Sequence, residues 1–191
     1  MFDLDRFIAD CKAALAADRS HKEVREVVKH AVREPASVMK ALGEPKPGLH
    51  ALYRSSELTI LNVVWGPMMT IAPHNHNRIW AVIGIYTGRE DNIFWRRVPG
   101  SAGRVEAAGA KSLCEKDAEP LGPDIIHSVT NPIGRLTGAI HVYGGDFFGP
   151  GRSEWDAETL LEGPFDIERA RRRFAQASEA WEKVQHMGEP S

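Results

Sequence analysis

Residues 70–88 read TIAPHNHNRIWAVIGIYTG, and this stretch decides the fold. It contains His74 and His76, separated by one residue, and in a β-strand residues i and i+2 point to the same face. A third histidine, His127, follows in Ile-Ile-His-Ser-Val-Thr-Asn, near the end of another predicted strand. Three imidazoles that converge from two strands predict a facial metal site, which leaves up to three positions open on an octahedral ion.

Length and composition bound the class of protein. A chain of 191 residues suits one domain that buries its core without disulfides or structural metals. The net charge of −2, with both signs mixed along the chain, gives no basis for binding nucleic acid or an anionic membrane. Only Cys11 and Cys114 are present, in a predicted helix and a predicted strand, which fits a reducing compartment. Without a signal-peptide pattern or a long apolar run, we expect a cytoplasmic location.

The chain divides into three parts. Residues 1–46 carry apolar side chains at helical spacing, and Ser20 with Glu23 forms a capping-box pattern, which predicts two or three helices. Residues 49–148 consist of short apolar runs separated by turn residues. Residues 153–187 return to helical character, and the residues from 188 onward are expected to be frayed.

The middle part is predicted to be a closed or sandwiched antiparallel sheet, because its connections are too short for crossover helices. The most distinct predicted strands are residues 58–65, 79–86, 92–97 and 136–143. In the third part, helices are predicted over residues 157–161 and from 167 to about 184.

The histidines occur in patterns that resemble the two cupin motifs. The first cupin motif is His-x-His, four residues, an acidic ligand, six residues and Gly; here Ala81 stands at the acidic position and Gly88 at the glycine. The second motif places Asn four positions after its His, as His127 and Asn131 do. This resemblance implies a mainly β, double-stranded β-helix barrel with N-terminal helices and a C-terminal helical extension.

A cupin site with three histidines and no carboxylate resembles the thiol dioxygenases, the group of cysteine dioxygenase and mercaptopropionate dioxygenase. Further similar segments are Val64-Trp65-Gly66-Pro67, Ile79-Trp80, Ile83-Gly84 and His141-Val142-Tyr143-Gly144. Two departures stand out. Ala81 replaces the Cys that forms a crosslink to Tyr in mammalian members, and Ala139 replaces the Ser of the family's Ser-x-His-x-Tyr segment.

The resemblance implies Fe(II) at His74, His76 and His127, with Ni or Zn as alternatives in purified protein, and oxidation of a small thiol by dioxygen to a sulfinic acid. Tyr143 and His141 lie two residues apart on one predicted strand, so both are expected to face the interior. They are the candidate catalytic pair: Tyr143 as a hydrogen-bond donor to oxygen or a substrate carboxylate, and His141 as the group that orients it.

A carboxylate-bearing thiol needs a cationic anchor, for which Arg is suited. Arg54 is the first candidate, because Leu52-Tyr53-Arg54 resembles the family's Leu-Tyr-x-Arg segment with an offset of one residue. Arg78 and Arg152 are alternatives, and Trp80 is expected to wall the pocket. Each of these has a simpler interpretation, as a surface charge or a core aromatic residue.

Two other functions stay open. Some three-histidine cupins cleave carbon-carbon bonds of diketone-like substrates, and a pocket without an inward Arg would favour that reaction. A cupin that binds a metal or ligand without turnover is the other alternative. The expected partners are a small thiol and dioxygen, with no nucleic acid and no membrane; the sequence makes no prediction of oligomeric state.

Overall fold

A computed structural model describes residues 1–187, which form four α-helices and eleven β-strands. The helices are α1 (Leu4–Ala17), α2 (His21–Ala31), α3 (Pro35–Leu42) and α4 (Ile167–Met187). The strands are β1 (Gly48–Arg54), β2 (Thr59–Trp65), β3 (Thr70–Asn75), β4 (Ala81–Thr87), β5 (Arg89–Arg97), β6 (Val105–Cys114), β7 (Ala118–Leu121), β8 (Ile126–Thr130), β9 (Thr137–Tyr143), β10 (Ser153–Trp155) and β11 (Glu162–Pro164). The expectation of a frayed tail falls on residues outside this range. Within the range, no helix has the length and apolar character needed to cross a membrane.

Side chains cap helices α1 and α2, whereas α3 begins without a side-chain cap. Ser20 caps α2 as predicted, but its own amide donates to Asp18 instead of Glu23, so the predicted capping box does not form. Asp3 accepts a hydrogen bond from the Arg6 amide at 2.8 Å, and Ser20 accepts one from the Lys22 amide at 3.3 Å. These bonds satisfy amide groups that have no partner inside a helix. The prediction of two or three helices is confirmed, with three.

The strands form two antiparallel sheets. The first sheet has the order β1-β2-β9-β4-β7, and the second has the order β11-β10-β3-β8-β5-β6. Strands β2 to β5 alternate between the two sheets, as do strands β7 to β10. This alternation winds the chain into a double-stranded β-helix, and the predicted cupin fold is confirmed.

Apolar side chains fill two layers. One core lies between the sheets, and a second lies between the outer face of the first sheet and helices α1 to α3. Strands β2 and β9 are buried at every position, because one face meets the opposite sheet and the other meets the helices. The second sheet has no such cover along β6, where most residues are exposed.

Gly88, the last residue of the first motif, has a backbone requirement. It connects β4 in the first sheet to β5 in the second with φ of +81°, in the left-handed region. An added Cβ would lie 2.3 Å from the Thr137 hydroxyl oxygen and 2.8 Å from the Thr137 Cα. Glycine is required here by both conformation and space.

The predicted helix over residues 157–161 is wrong. This segment is the turn between β10 and β11, a hairpin that extends the second sheet next to β3. The Asp156 side chain accepts hydrogen bonds from the amides of Glu158 at 3.1 Å and Thr159 at 2.8 Å. Such local bonds compete with helix formation. The prediction for α4, by contrast, is confirmed.

Helix α2 packs directly on strand β4 at Gly84, which gives a test of the fold. A Cβ at this position would lie 2.4 Å from Val28 Cγ1 and 2.9 Å from Val32 Cγ1. We therefore expect Gly84→Val to lower the free energy of unfolding by about 1–3 kcal/mol through overpacking, measured by urea denaturation. Gly134→Ala is the control, because nothing lies within 4 Å of its Cβ position, and its effect should stay within about 0.5 kcal/mol. Equal effects of the two substitutions would contradict this packing.

Candidate metal centre

The structure brings the three predicted histidines together. His74 on β3 lies directly across from His127 on β8, and His76 lies one residue beyond the end of β3. Their ring centroids are 4.6 to 5.5 Å apart, and one ligand nitrogen from each lies within 4.8 Å of the others. All three side chains are buried between the sheets. The rings therefore converge on one point.

Hydrogen bonds orient two of these rings. His74 Nδ1 donates to the Ala72 carbonyl at 3.0 Å, and His127 Nδ1 donates to the Asn92 side-chain oxygen at 2.7 Å. Each ring then presents the lone pair of Nε2, the usual arrangement of metal-bound histidine. His76 Nε2 lies 3.1 Å from His127 Nε2, a separation expected of neighbouring nitrogens bonded to one ion at about 2.1 Å. The donor set fits a divalent metal ion.

Burial keeps the imidazoles neutral, which is the form that binds metals. Burial, with a smaller contribution from the Arg152 charge, lowers the pKa of His74 to about 3. The pKa values of His76 and His127 are also well below the ordinary value, chiefly because of burial. Within residues 1–187 the metal-capable group consists of these three histidines, without a carboxylate. Three neutral nitrogen donors suit a borderline divalent ion such as Fe(II), Ni(II) or Zn(II).

Arg152 brings a buried positive charge to the same place. Its side chain is 7% exposed, and its guanidinium carbon lies 3.8 Å from the Phe165 ring centre and 4.2 Å from that of Phe147. Nε donates to the Asn75 carbonyl at 3.0 Å and Nη1 to the Phe147 carbonyl at 3.3 Å. Among the described residues Nη2 has no hydrogen-bond partner. Burial lowers the pKa of Arg152 to about 10, so the group stays charged at neutral pH.

Tyr143 and His141 lie beside the histidine cluster on β9, facing the space between the sheets. The Tyr143 hydroxyl is 3.1 Å from His141 Nδ1, and its ring centre is 5.2 Å from that of His76. Burial raises the pKa of Tyr143, so its hydroxyl keeps its proton at neutral pH. The geometry places both side chains where the sequence predicted, and their catalytic role stays a prediction.

Sequence reasoning missed two polar residues behind the centre, Glu90 and Asn92 on β5. Glu90 is fully buried; it accepts hydrogen bonds from Trp65 Nε1 at 3.0 Å and Asn92 Nδ2 at 3.1 Å. Its Oε2 is also 3.4 Å from His141 Nε2. The available signal was a pair of polar residues at i and i+2, but the predicted strand began at Asn92 and left Glu90 outside it.

Three predicted substrate residues do not reach the cavity. Arg54 Nε and Nη2 donate to the two carboxylate oxygens of Asp146 at 2.9 and 2.8 Å, on the surface. Arg78 is exposed in the turn after His76. Trp80 is buried on the helix side of the first sheet, where Nε1 donates to the Arg19 carbonyl at 2.9 Å. For Trp80 the reason is strand alternation: Ala81, the next residue, faces the space between the sheets, so Trp80 faces away from it.

A small cavity adjoins the histidines. Its volume is about 40 Å³, which at about 10–15 Å³ for each water corresponds to roughly three water molecules. Its polar lining comes from His74, His127, His141, Tyr143 and Arg152, and its apolar lining includes Leu49, Val63, Val129, Phe147, Phe165 and Phe174. Two larger surface clefts, one against α1 and α2 and one beside the β10–β11 hairpin, contain none of the three histidines. The cavity beside the histidines suits a ligand of a few atoms.

Comparisons with known proteins concern the fold. No protein-family model matches the chain, and no curated protein shows detectable sequence similarity to it. Among solved structures, a double-stranded β-helix protein from Klebsiella pneumoniae is 13% identical, with a TM-score of 0.44 over 60% of this chain and 88% of that one. A Bacillus halodurans protein is 13% identical, with a TM-score of 0.48 over 56% of this chain and 77% of that one. An RmlC-like cupin from Methanocaldococcus jannaschii is 11% identical, with a TM-score of 0.42 over 52% and 80%.

At this level of similarity no substrate or reaction carries over to this chain. Its own strand order and register define a cupin double-stranded β-helix. Its own side chains place three buried histidines where they could hold a metal ion. The protein thus has a cupin-type double-stranded β-helix fold with a candidate three-histidine metal centre.

The lowered histidine pKa values predict how the stability of the metal-free protein depends on pH. An unfolded histidine has a pKa of about 6.5, whereas buried His74 has a pKa of about 3. Between these values the unfolded state binds more protons, so stability is lost as pH falls below about 6.5. Each such histidine contributes a slope of up to about 1.4 kcal/mol per pH unit.

We expect His74→Gln to reduce this slope between pH 6.5 and 5, measured by urea denaturation of metal-free protein. His186→Gln is the control, because His186 is exposed near the end of α4 and should leave the slope unchanged. A slope that is the same in the parent and in His74→Gln would show that His74 is protonated in the folded state.

Proposed function

We propose that this protein is an Fe(II)-dependent dioxygenase that oxidises a small, carboxylate-bearing thiol to a sulfinic acid. The observation that carries the proposal is the buried Arg152 guanidinium, which has one nitrogen without a partner among the described residues and lines the same cavity as His74 and His127 of the three-histidine group. A ferrous ion held by His74, His76 and His127 would supply the dioxygen chemistry, in which both oxygen atoms pass to the substrate sulfur. The cytoplasm, where thiols are kept reduced, is the proposed compartment.

Arg152 would bind and orient the substrate carboxylate. A buried cation without an acidic partner is costly, and an anionic ligand offsets that cost through charge-assisted hydrogen bonds. The guanidinium is already fixed by two carbonyl groups and two aromatic rings, so it loses little freedom when a ligand binds. One of those carbonyls belongs to Asn75, between His74 and His76, which ties the anchor to the metal centre.

Tyr143 would hold a proton beside the reacting atoms. Its raised pKa keeps the hydroxyl protonated, and His141 Nδ1 fixes that hydroxyl from behind at 3.1 Å. The surrounding aromatic and aliphatic side chains exclude bulk water, which strengthens each polar interaction in the cavity. These residues position and shield a small substrate.

The geometry weighs against the diketone alternative. That reaction would be favoured by a pocket without an inward Arg, and Arg152 lines this one. A cupin that binds its ligand without turnover would have the same geometry, so turnover itself is the decisive measurement.

The first test is thiol-dependent oxygen uptake. Iron-loaded protein should consume dioxygen and form a sulfinate with 3-mercaptopropionate or cysteine. His127→Ala should lose both iron retention and oxygen uptake, with little change in circular dichroism, because the apolar cores do not depend on the ion. His186→Ala should behave like the parent.

Two results would contradict the proposal. If iron-loaded parent protein forms no sulfinate with 3-mercaptopropionate or cysteine, the proposed reaction is wrong. If His127→Ala retains iron as tightly as the parent, His127 is not a metal ligand.

The second test asks which Arg recognises the carboxylate. Arg152→Met should lower kcat/KM for 3-mercaptopropionate by about 10- to 100-fold, the loss expected for hydrogen bonds to a charged group. For uncharged 2-mercaptoethanol the change should be below about threefold, because that substrate has no carboxylate to anchor. Arg54→Met is the comparison, since Arg54 pairs with Asp146 outside the cavity. A selective loss in Arg54→Met, or an equal loss for both thiols in Arg152→Met, would move the anchor away from Arg152.

A further inference from the structure

A buried carboxylate, that of Glu90, is linked to the candidate metal centre by hydrogen bonds. Glu90 is 0% exposed. The side chains that contact its oxygens are those of Trp65, Asn92 and His141. Its two oxygens receive different donors: Oε1 accepts from Asn92 Nδ2, and Oε2 accepts from Trp65 Nε1. Asn92 in turn accepts a hydrogen bond from His127 Nδ1 at 2.7 Å. Glu90 is therefore two hydrogen bonds away from a predicted metal ligand.

The direction of these hydrogen bonds follows from the chemistry of the groups. A carboxylate only accepts hydrogen bonds, so Asn92 must turn its NH₂ towards Glu90. The Asn92 carbonyl oxygen then faces His127 and requires the ring proton on Nδ1. With the proton there, Nε2 of His127 carries a lone pair directed at the other histidines. The tautomer of the metal ligand is thus fixed from Glu90.

We propose that Glu90 is a positioning residue of the metal centre, which acts through Asn92 to hold His127 in its metal-binding tautomer. The inference rests on the metal-binding part of the proposed function and is independent of the substrate. Asn92 alone is insufficient, because its amide can turn by half a rotation and present NH₂ to the ring instead. Glu90 removes that choice.

Trp65 holds the carboxylate in place, and His141 lies beside it. The Trp65 indole donates to Oε2 at 3.0 Å, and His141 Nε2 lies 3.4 Å from the same oxygen. His141 also contacts the Tyr143 hydroxyl. The Glu90 carboxylate therefore lies one residue away from His127, through Asn92, and one residue away from Tyr143, through His141. Its burial on β5, two residues from Asn92, keeps both contacts in register.

Replacement of Glu90 by Gln tests the direction of the bonds with little change in shape. The Gln amide carries a donor at one end, which must face either the Asn92 NH₂ or the Trp65 N–H. If Asn92 turns to relieve the conflict, its NH₂ faces His127 Nδ1, and the ring proton moves to Nε2. Nε2 of His127 then has no lone pair to offer to a metal ion.

The experiment measures Co(II) affinity by competition with a chromophoric chelator. Glu90→Gln should bind Co(II) about 10- to 100-fold more weakly than the parent, the usual effect of changing a residue that orients a ligand. The double variant Glu90→Gln with Asn92→Asp should restore the affinity to within about threefold of the parent or above it. In that variant the Gln NH₂ donates to one Asp oxygen, and the other accepts from His127 Nδ1.

The matched control is Asp91→Asn on the same strand. It makes the same carboxylate-to-amide change, but Asp91 binds Arg89 at the surface. Its Co(II) affinity should stay within about threefold of the parent. If loss of a negative charge anywhere on β5 were enough, both Glu90→Gln and Asp91→Asn would bind Co(II) more weakly.

A second readout follows the ring proton itself, by ¹⁵N NMR of metal-free protein. His127 should be protonated at Nδ1 in the parent and in the double variant, and at least partly at Nε2 in Glu90→Gln. A loss of packing alone would not move this proton. The His127 signals are identified by their absence from His127→Ala.

Three results would overturn the inference. These are parent-like Co(II) affinity in Glu90→Gln, a folded double variant as weak as Glu90→Gln, and a parent His127 protonated at Nε2. The last needs no variant, so it holds even if Glu90→Gln fails to fold. Parent protein that binds Co(II) but oxidises no thiol with iron would instead overturn the proposed substrate and leave the role of Glu90 intact.

Discussion

The register between β3 and β8 is the constraint on which the site depends. It sets His74 directly opposite His127, and a slip by one residue would turn every side chain of one strand to the other face. The register shifts between Ile71 and His74, a bulge that contains Pro73, a residue that cannot donate a hydrogen bond to a neighbouring strand. Beyond the bulge, β10 pairs with β3 at His74. Three strands of the second sheet therefore fix one ligand position.

Two buried side chains near this position, Glu90 and Arg152, differ in how many of their polar atoms have partners. Each oxygen of Glu90 accepts a hydrogen bond from a side chain, one from Trp65 and one from Asn92. Arg152 lines the cavity and keeps one nitrogen without a partner among the described residues. The Glu90 carboxylate is thus bound within the protein, whereas under the proposed function Arg152 binds an anionic ligand. A cavity arranged in this way attracts anions and disfavours cations.

The sequence predicts the metal centre well because its signals are local or follow strand alternation. His74 and His76 lie two residues apart, and His141 and Tyr143 do the same on β9. Alternation could not place Trp80, because β4 is apolar on both faces and offers no polar side to distinguish them. The contact of Arg152 with Asn75, 77 residues away along the chain, has no local signal at all. The turn at Asp156 was misread because helical spacing in a short segment cannot exclude a local side-chain cap.

The cavity is built from two separate parts of the chain. The histidines belong to the barrel, whereas Arg152, Phe165 and Phe174 come from the segment that follows it. Phe165 and Phe174 line the cavity but lie outside β10, the strand of this segment that pairs with β3 at His74. Under the proposed function, substitutions at these two positions, in about the last fifth of the chain, can change the small molecule that the cavity accepts while the barrel sequence stays the same.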